Sequence, residues 1–324
     1  MKNILITGGA GYIGTHINFK LSKLGYNVII YDNLSTVSDI LFKSNIFIKG
    51  DINDTKSLEN IFKKYDPFIV IHLASLSNVG ESLSNTNEYY TVNVNGTINL
   101  LNVMIKYNTK YLIFSSSCSI YGHSNIPITE KSLINPISPY GKTKYICEEV
   151  IKDYSKRYKF NYFILRYFNV AGADLINNLG ENHICETRII PVIINNTLNN
   201  KTVYINGNNF ITKDGTVIRD FIHIDDISEA HIHVINYLIN NNLSNTCNLG
   251  SNSQVSILDI IKIFEEISNL KVNFSFNPKI KEDPDIAFCN YTYAKQLLNW
   301  EPKKNIYKII ESSYLWIINK NKII

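Results

Sequence analysis

Apolar residues in the first half of the chain come in two alternating patterns. Short unbroken runs, Ile4-Leu5-Ile6, Val28-Ile29-Ile30, Ile46-Phe47-Ile48, Ile69-Val70-Ile71 and Tyr111-Leu112-Ile113-Phe114, are separated by stretches with helical spacing. A run with no polar alternation suits a strand covered on both faces. The pattern predicts strands over 2–7, 27–31, 45–48, 67–74 and 110–114. It predicts helices over 16–24, 57–65, 88–107 and 138–158. Strand and helix taking turns call for a right-handed, doubly wound α/β parallel sheet. Beyond about Phe168 the pattern changes. Residues 171–220 are rich in loop formers, and three of the eight prolines fall at 278, 284 and 302. The expected organisation is a first domain over 1–170, rejoined by 219–245, and a smaller domain over 171–324.

The first strand runs into Gly8-Gly9-Ala10-Gly11-Tyr12-Ile13-Gly14, which holds four of the fifteen glycines. Strand, glycine turn and helix start are the parts a dinucleotide pyrophosphate needs. Gly8 permits the sharp turn, Gly11 removes the Cβ that would hold phosphate off the backbone, and Gly14 lets helix and strand pack closely. The second strand ends at Asp32, near the spacing of about 20 residues at which an acid meets a ribose. A carboxylate there accepts from both ribose hydroxyls and repels a 2′-phosphate, which favours NAD over NADP. The fold is therefore expected to be Rossmann-type. Asn33 and Leu34 follow Asp32. Asp51-Ile52 ends the third strand, where Asp51 either meets the adenine or caps the helix starting near Thr55. After Leu73, the fourth strand ends at Ala74 and Ser75, whose small side chains would let a cofactor lie close.

Charge and composition narrow the partners. A net charge of +4 without a long Lys/Arg block excludes a nucleic-acid surface, and no run nears the roughly 18 apolar residues of a membrane span. The N-terminus lacks a signal-peptide pattern, so a soluble, cytoplasmic chain is expected. Five scattered cysteines and seven histidines show no metal-ligand spacing, so neither a disulfide framework nor a metal centre is indicated. Only four of the 32 basic residues are arginine (157, 166, 188 and 219). In so lysine-rich a chain an arginine marks a place where planar, two-pronged geometry matters.

Ser138-Pro139 is a helix start, a capping residue followed by proline in the first turn. It puts Tyr140 and Lys144 four apart on one face. With Ser117 at the end of the fifth strand, the three form a pattern that chemistry can use. The sequence resembles the extended short-chain dehydrogenase/reductase family, and most closely its UDP-glucose 4-epimerases. The motifs are TGGAGYIG, YDNLS, GDI, VGES, NVNGT from Asn93, SSSCSIYG from Ser115, SPYGKTK, RYFNVAGA from Arg166 and IRDFIHIDD from Ile218. They extend from the N-terminus to Asn299-Trp300, nearly the whole chain.

The resemblance implies Ser117, Tyr140 and Lys144 as the catalytic group, with Tyr140 as base. A free tyrosine has a pKa of about 10. The Lys144 ammonium and a positively charged nicotinamide ring are expected to favour its phenolate. The cofactor residues implied are Gly8, Gly11, Tyr12, Ile13, Gly14, Asp32, Asn33, Leu34, Asp51, Ile52, Leu73, Ala74, Ser75, Asn93, Tyr140, Lys144 and Tyr167. The substrate residues implied are Ser117, Tyr140, Asn169, Arg188, Arg219, Asp283 and Ala287. Arg219 suits a bidentate phosphate contact, against the alternative of an ion pair with Asp220 or another acid.

Four departures bear on the sugar. Ser77 stands where a lysine is frequent, Arg188 where an asparagine is frequent, and Lys279 and Lys281 in place of an Arg-Arg. Ala287 occupies an aromatic position, unless the register slips and Phe288 takes it. The reading is an NAD-dependent 4-epimerase of a UDP-hexose, UDP-GlcNAc/UDP-GalNAc with UDP-glucose/UDP-galactose as a further pair. The alternatives are a 4,6-dehydratase, disfavoured by Cys118-Ser119 where an Asp-Glu is needed, and a reductase, disfavoured by Asp32. A non-catalytic relative is disfavoured because both Tyr140 and Lys144 are present. Apolar Leu100, Val103, Ile146 and Val150, outside a single sheet-facing stripe, predict a homodimer formed by paired helices.

Overall fold

The computed structural model describes residues 2–37, 41, 46–124, 126–280 and 282–323. The runs form β1 (Asn3–Thr7), β2 (Asn27–Asp32), β3 (Ile46–Lys49), β4 (Ile69–His72) and β5 (Tyr111–Ser117). With β6 (Asn161–Tyr167) and the strand Asn245–Leu249 they make a seven-stranded sheet. The order is Asn245–Leu249, β6, β5, β4, β1, β2, β3, and every pairing is parallel. The winding reverses between β1 and β4, so a crevice opens at the carboxyl ends of those two strands.

Both sheet faces are covered, which is why the strands carry no polar alternation. In β1, Ile4 and Ile6 face Ile17 and Leu21 of α1 (Tyr12–Lys23), along with Ile227, Val234 and Leu238 of the helix Ile224–Asn241. Leu5 faces the other way, toward Leu58 and Phe62 of α2 (Thr55–Tyr65) and toward Leu100, Leu101 and Met104. The cap of α2 is Asp54, whose carboxylate accepts from Ser57 N at 3.0 Å. Asp51 therefore does not cap that helix.

The stretch expected as one helix over 88–107 is interrupted. A turn at Thr86–Tyr89 passes into a π-helical segment, Tyr90–Asn95, and then into the α-helix Gly96–Lys106. Sequence periodicity does not register the one extra residue of a π turn. Gly96 is needed beside it, because a Cβ there would lie 2.7 Å from Ile52 Cγ2. Leu100 and Val103 are fully buried within the chain, so they offer no face to a partner. Only Ile146 and Val150 of the four apolar positions remain partly exposed.

A second core belongs to the C-terminal part. It joins Ile190, Ile193 and Ile194 of the helix Ile189–Leu198, Ile260 and Phe264 of the helix Ile257–Ser268, and Ile309, Ile310 and Trp316 of the helix Ile306–Ile323. A small sheet sets Ile218–Arg219 between Val255–Ser256 and Ile286–Ala287. Residues Ile222 to Leu249 return to the first core, and so do Ala294, Leu298 and Trp300. Among the described residues, no helix is long and apolar enough to cross a membrane.

Candidate active site

The glycine turn is built as its sequence requires. Gly8 has φ +71°, and a Cβ on it would collide with Ala74 N at 2.5 Å, so the turn lies flat on the end of β4. A Cβ at Gly14 would strike Gly9 Cα at 2.6 Å, the close packing of helix on turn. Gly11 differs. Its Cβ would meet only Gly8 O, at 3.4 Å, so nothing in the protein itself requires glycine there. Gly11 is also the N-cap of α1 and caps no N–H with a side chain. An open cradle at an uncapped helix N-terminus fits an anion such as a pyrophosphate.

At the end of β2, Asp32 accepts from Ala10 N (3.0 Å) and Leu34 N (2.8 Å), while burial pushes its carboxyl above the usual range. Asp51 accepts from Asn33 Nδ2 (2.8 Å) and Asn53 N (2.9 Å). Burial would raise its pKa, but these bonds together hold it below the ordinary value. Carboxylates at the ends of β2 and β3 beside the glycine turn suit the ribose and base of a dinucleotide. The residues present thus fit NAD.

On the other side of the switch point, β5 delivers Ser117 and the helix Pro139–Tyr158 delivers Tyr140 and Lys144. Ser138 caps that helix, accepting from Gly141 N at 3.1 Å, with Pro139 in the first turn. Lys144 is almost fully buried, donates to Ser75 Oγ (3.0 Å) and Ser115 O (2.8 Å), and makes no ion pair among the described residues. Burial lowers its pKa to about 8. A buried ammonium bonded only to neutral groups, with a proton to spare, suits a ligand hydroxyl.

The Tyr140 ring is buried, edge-on to Tyr89 with centroids 6.4 Å apart. Burial pushes its phenol up to about 12. A hydrogen bond with Ser117 opposes this, the nearby Cys118 adds to it, and the charge of Arg188 opposes it. Lys144 stands over the same ring, 5.9 Å from its centroid, with its ammonium turned to Ser75 and Ser115.

Two predicted cofactor residues have their polar groups spent within the protein. Asn93 accepts from Leu76 N (2.8 Å) and donates to Leu76 O (3.1 Å) and Thr143 Oγ1 (3.0 Å). It holds the loop after β4 against the Tyr140 helix. Tyr167 donates to His231 Nε2 at 2.8 Å, because His231 Nδ1 faces Ile227 O and carries the proton. Only its ring can line the crevice.

Behind Ser117 lies a buried network. Arg166 donates to both oxygens of Glu148, from Nε at 2.9 Å and Nη2 at 2.6 Å, and to Tyr121 Oη at 2.7 Å. Ser116 Oγ donates to the same carboxylate at 2.5 Å. One pair therefore bolts β6, β5 and the Tyr140 helix together. Arg166 does occupy a two-pronged site, though toward the protein interior.

Four of the predicted substrate residues, Asn169, Arg219, Asp283 and Ala287, lie at or beside the small sheet. Ala287 lies in register beside Arg219. Arg219 pairs with Asp283 and donates to Ile218 O at 2.8 Å. Its acid is Asp283, since Asp220 accepts instead from the Ser251, Asn252 and Cys289 backbones. Asn169 donates to Asp220 O at 2.9 Å. Lys279 is paired with Asp285 at 2.8 Å, and Lys281 lies outside the described residues.

Arg188 sits over the Tyr12 ring, 5.8 Å from its centroid, with Nε 3.8 Å from the Glu181 carboxylate. Burial raises Glu181 to about 8, against the pull of Arg188. Glu181 was not foreseen. It follows Gly180 in a loop with no periodicity, and nothing local marks a buried acid.

Comparison with known proteins agrees with this geometry. The model of the NAD dependent epimerase/dehydratase family matches residues 4–250. A UDP-glucose 4-epimerase of Rhizobium meliloti (strain 1021) is 35% identical, over 99% of this chain and 98% of that protein. The crystal structure of a Brucella ovis UDP-glucose 4-epimerase in complex with NAD is 36% identical, with TM-score 0.93 over 97% of this chain and 98% of that one. The UDP-Glc/GlcNAc 4-epimerase of Campylobacter jejuni is 33% identical, with TM-score 0.84 over 98% of this chain and all of that one. A family match over most of the chain, on a seven-stranded sheet with the glycine turn at its switch point, settles membership: the chain belongs to the NAD dependent epimerase/dehydratase family.

Proposed function

We propose that the chain is an NAD-dependent 4-epimerase of UDP-hexoses, divided into a cofactor domain over 1–170 with 219–245 and a substrate domain over 171–324. The observation that carries this is the meeting of Ser117, Tyr140 and Lys144 across the switch point from the open glycine cradle and Asp32. Gly8, Gly11, Tyr12, Ile13, Gly14, Asp32, Asn33, Leu34, Asp51, Ile52, Leu73, Ala74, Ser75 and Lys144 would hold NAD, with Asn93 fixing the loop at Ser75 and Tyr167 lending its ring. Bound there, NAD would supply a reversible hydride acceptor for the sugar C4. Tyr140 takes the proton of the 4-hydroxyl, and Ser117 hydrogen-bonds the same oxygen. Arg219, Asp283 and Asn169 would hold the nucleotide diphosphate, with Arg188 reaching in above Tyr12. A dehydratase needs an acid–base pair directly after Ser117, and burial pushes the Cys118 thiol up to about 12, out of range for that work.

No net oxidation occurs in such a cycle, so purified protein should work without added reductant. Denaturing it and assaying the supernatant should release NAD. An enzyme inert until NADPH is supplied, and consuming it mole for mole, would be a reductase instead.

For the sugar, UDP-GlcNAc/UDP-GalNAc is the proposed pair, with UDP-glucose/UDP-galactose alongside. Ala287 packs with Ile120, Tyr121 and Phe168, which flank Ser117 and Asn169, while the buried Phe288 lies outside that cluster. This supports Ala287 as the gating position, and an alanine leaves room for an N-acetyl group. Ser77 is exposed and short, which adds space. The likeness to the Campylobacter jejuni UDP-Glc/GlcNAc enzyme supports the same assignment. Ala287→Tyr should abolish turnover of UDP-GlcNAc selectively, read as kcat/KM for both sugars. The added ring also risks about 1–3 kcal/mol of overpacking, so thermal stability is measured in parallel. Equal loss on both sugars, or no N-acetylated activity in the parent protein, would sink the assignment.

We also propose a homodimer, built on the partly exposed Ile146 and Val150 of the Tyr140 helix. Light scattering at micromolar concentration should give twice the chain mass. A monomer mass would count against it.

A further inference from the structure

A file of buried side chains runs beneath the crevice floor and has no part in the chemistry described so far. Thr7 Oγ1 lies 2.7 Å from His72 Nδ1, and His72 Nε2 lies 3.0 Å from Thr97 Oγ1. Thr97 Oγ1 is 2.6 Å from Asn93 O, Asn93 Nδ2 is 3.0 Å from Thr143 Oγ1, and Thr143 Oγ1 is 2.8 Å from Tyr140 O. Thr7, His72, Thr97, Asn93 and Thr143 are all essentially inaccessible to water.

Every proton in the file can be assigned. A carbonyl only accepts, so Thr97 donates to Asn93 O, and its oxygen must then accept from His72 Nε2–H. Nδ1 of His72 is thereby bare and accepts from Thr7. The Asn93 amide donates to Thr143, which donates to Tyr140 O. All donors point one way, from the last residue before the glycine turn to the main chain of the residue proposed as base. The π-helical segment carries Asn93 at the centre of the file, and Cys147 Sγ meets the same carbonyl at 3.2 Å. Burial, reinforced by the Lys144 charge, lowers the His72 pKa to about 3, so the imidazole is a fixed neutral link.

We infer that His72 is a positioning residue: through Thr97, Asn93 and Thr143 it holds the strand entering the glycine turn in register with the first turn of the Tyr140 helix. The inference rests on the roles proposed for Tyr140 and the glycine turn, and Tyr140→Phe tests those separately. His72 touches no reacting atom. Its effect is to fix the offset between the cofactor seat and the base, and a misplacement of about 1 Å can cost about 100-fold in rate.

The test compares His72→Phe, His72→Gln, Thr143→Val and the His72→Phe/Thr143→Val double variant, with kcat expressed per folded, NAD-containing site. His72→Phe should lower kcat about 10- to 100-fold with KM for the UDP-sugar within about threefold, because the substrate side is untouched. Gln can accept from Thr7 and donate to Thr97, so His72→Gln should recover most of the rate. The double variant should be no slower than the slower single, since one break already severs the file. A His72→Phe enzyme that loses only thermal stability, or a double variant whose losses multiply, would overturn the inference. Nitrogen-15 NMR of the unaltered protein provides an arm that needs no variant to fold. His72 should be the neutral Nε2–H tautomer without titration from about pH 5 to 9, and an Nδ1–H form would overturn the assigned direction.

Discussion

Tyr140→Phe should lower turnover by at least about 100-fold while leaving folding and NAD content intact. The ring keeps its edge-on contact with Tyr89, so packing survives loss of the oxygen. No neighbour can replace the base. Lys144 is occupied by Ser75 and Ser115 O, and the Cys118 thiol is held up at about 12. The pH profile adds a check. With the phenol pushed up to about 12 in the protein alone, the phenolate fraction rises with pH, so wild-type kcat/KM should climb through the neutral range and level off only as pH passes the phenol's pKa in the NAD-containing enzyme. The variant should lose that climbing limb. Near-wild-type turnover by a folded Tyr140→Phe protein would remove the mechanism.

Arg166→Met should destabilise the fold by about 3–5 kcal/mol, the cost of leaving a buried carboxylate without its partner. Glu148 is wholly buried, and its remaining cation, Lys152, is 3.9 Å away. Ser116 and Tyr121 lose part of the same network. The variant strands a buried negative charge that acid neutralises, so its deficit should shrink as pH falls and widen as pH rises. Urea unfolding of both proteins at pH 5 and 7.5 would read this. Replacing Glu148 by methionine as well should restore much of the loss, since an apolar pair leaves no stranded charge. A deficit independent of pH, or below about 1 kcal/mol, would mean that the pair is not the bolt between β5, β6 and the Tyr140 helix.

Most of the cofactor side was legible from local rules. Gly8 and Gly14 are required by backbone conformation and helix packing, each acting within a few residues, and Gly11 leaves the turn open. Ser138-Pro139 announces the helix that carries Tyr140 and Lys144. What misled was longer in range. Leu100 and Val103 looked like a second apolar face because a helical wheel does not show α2 packing against it. The π turn at Tyr90–Asn95 was invisible to periodicity, and so were the bonds of its Asn93 to Leu76 and to Thr143, 50 residues on.

Sequence by itself determined most of the elements, their parallel winding, the glycine turn and the acid at the end of β2. These follow from periodicity, capping and steric rules that a short window contains, whereas Ser117, Tyr140 and Lys144 as a set are implied by the resemblance of their motifs. Only the tertiary structure decided which charge faces which group. It turned Lys144 to Ser75 and Ser115, paired Arg219 with Asp283, and closed the file from Thr7 through His72 to Tyr140 O. Most of those partners lie tens of residues apart. Their interaction depends on distance and burial in the folded chain, quantities that spacing along a sequence does not contain.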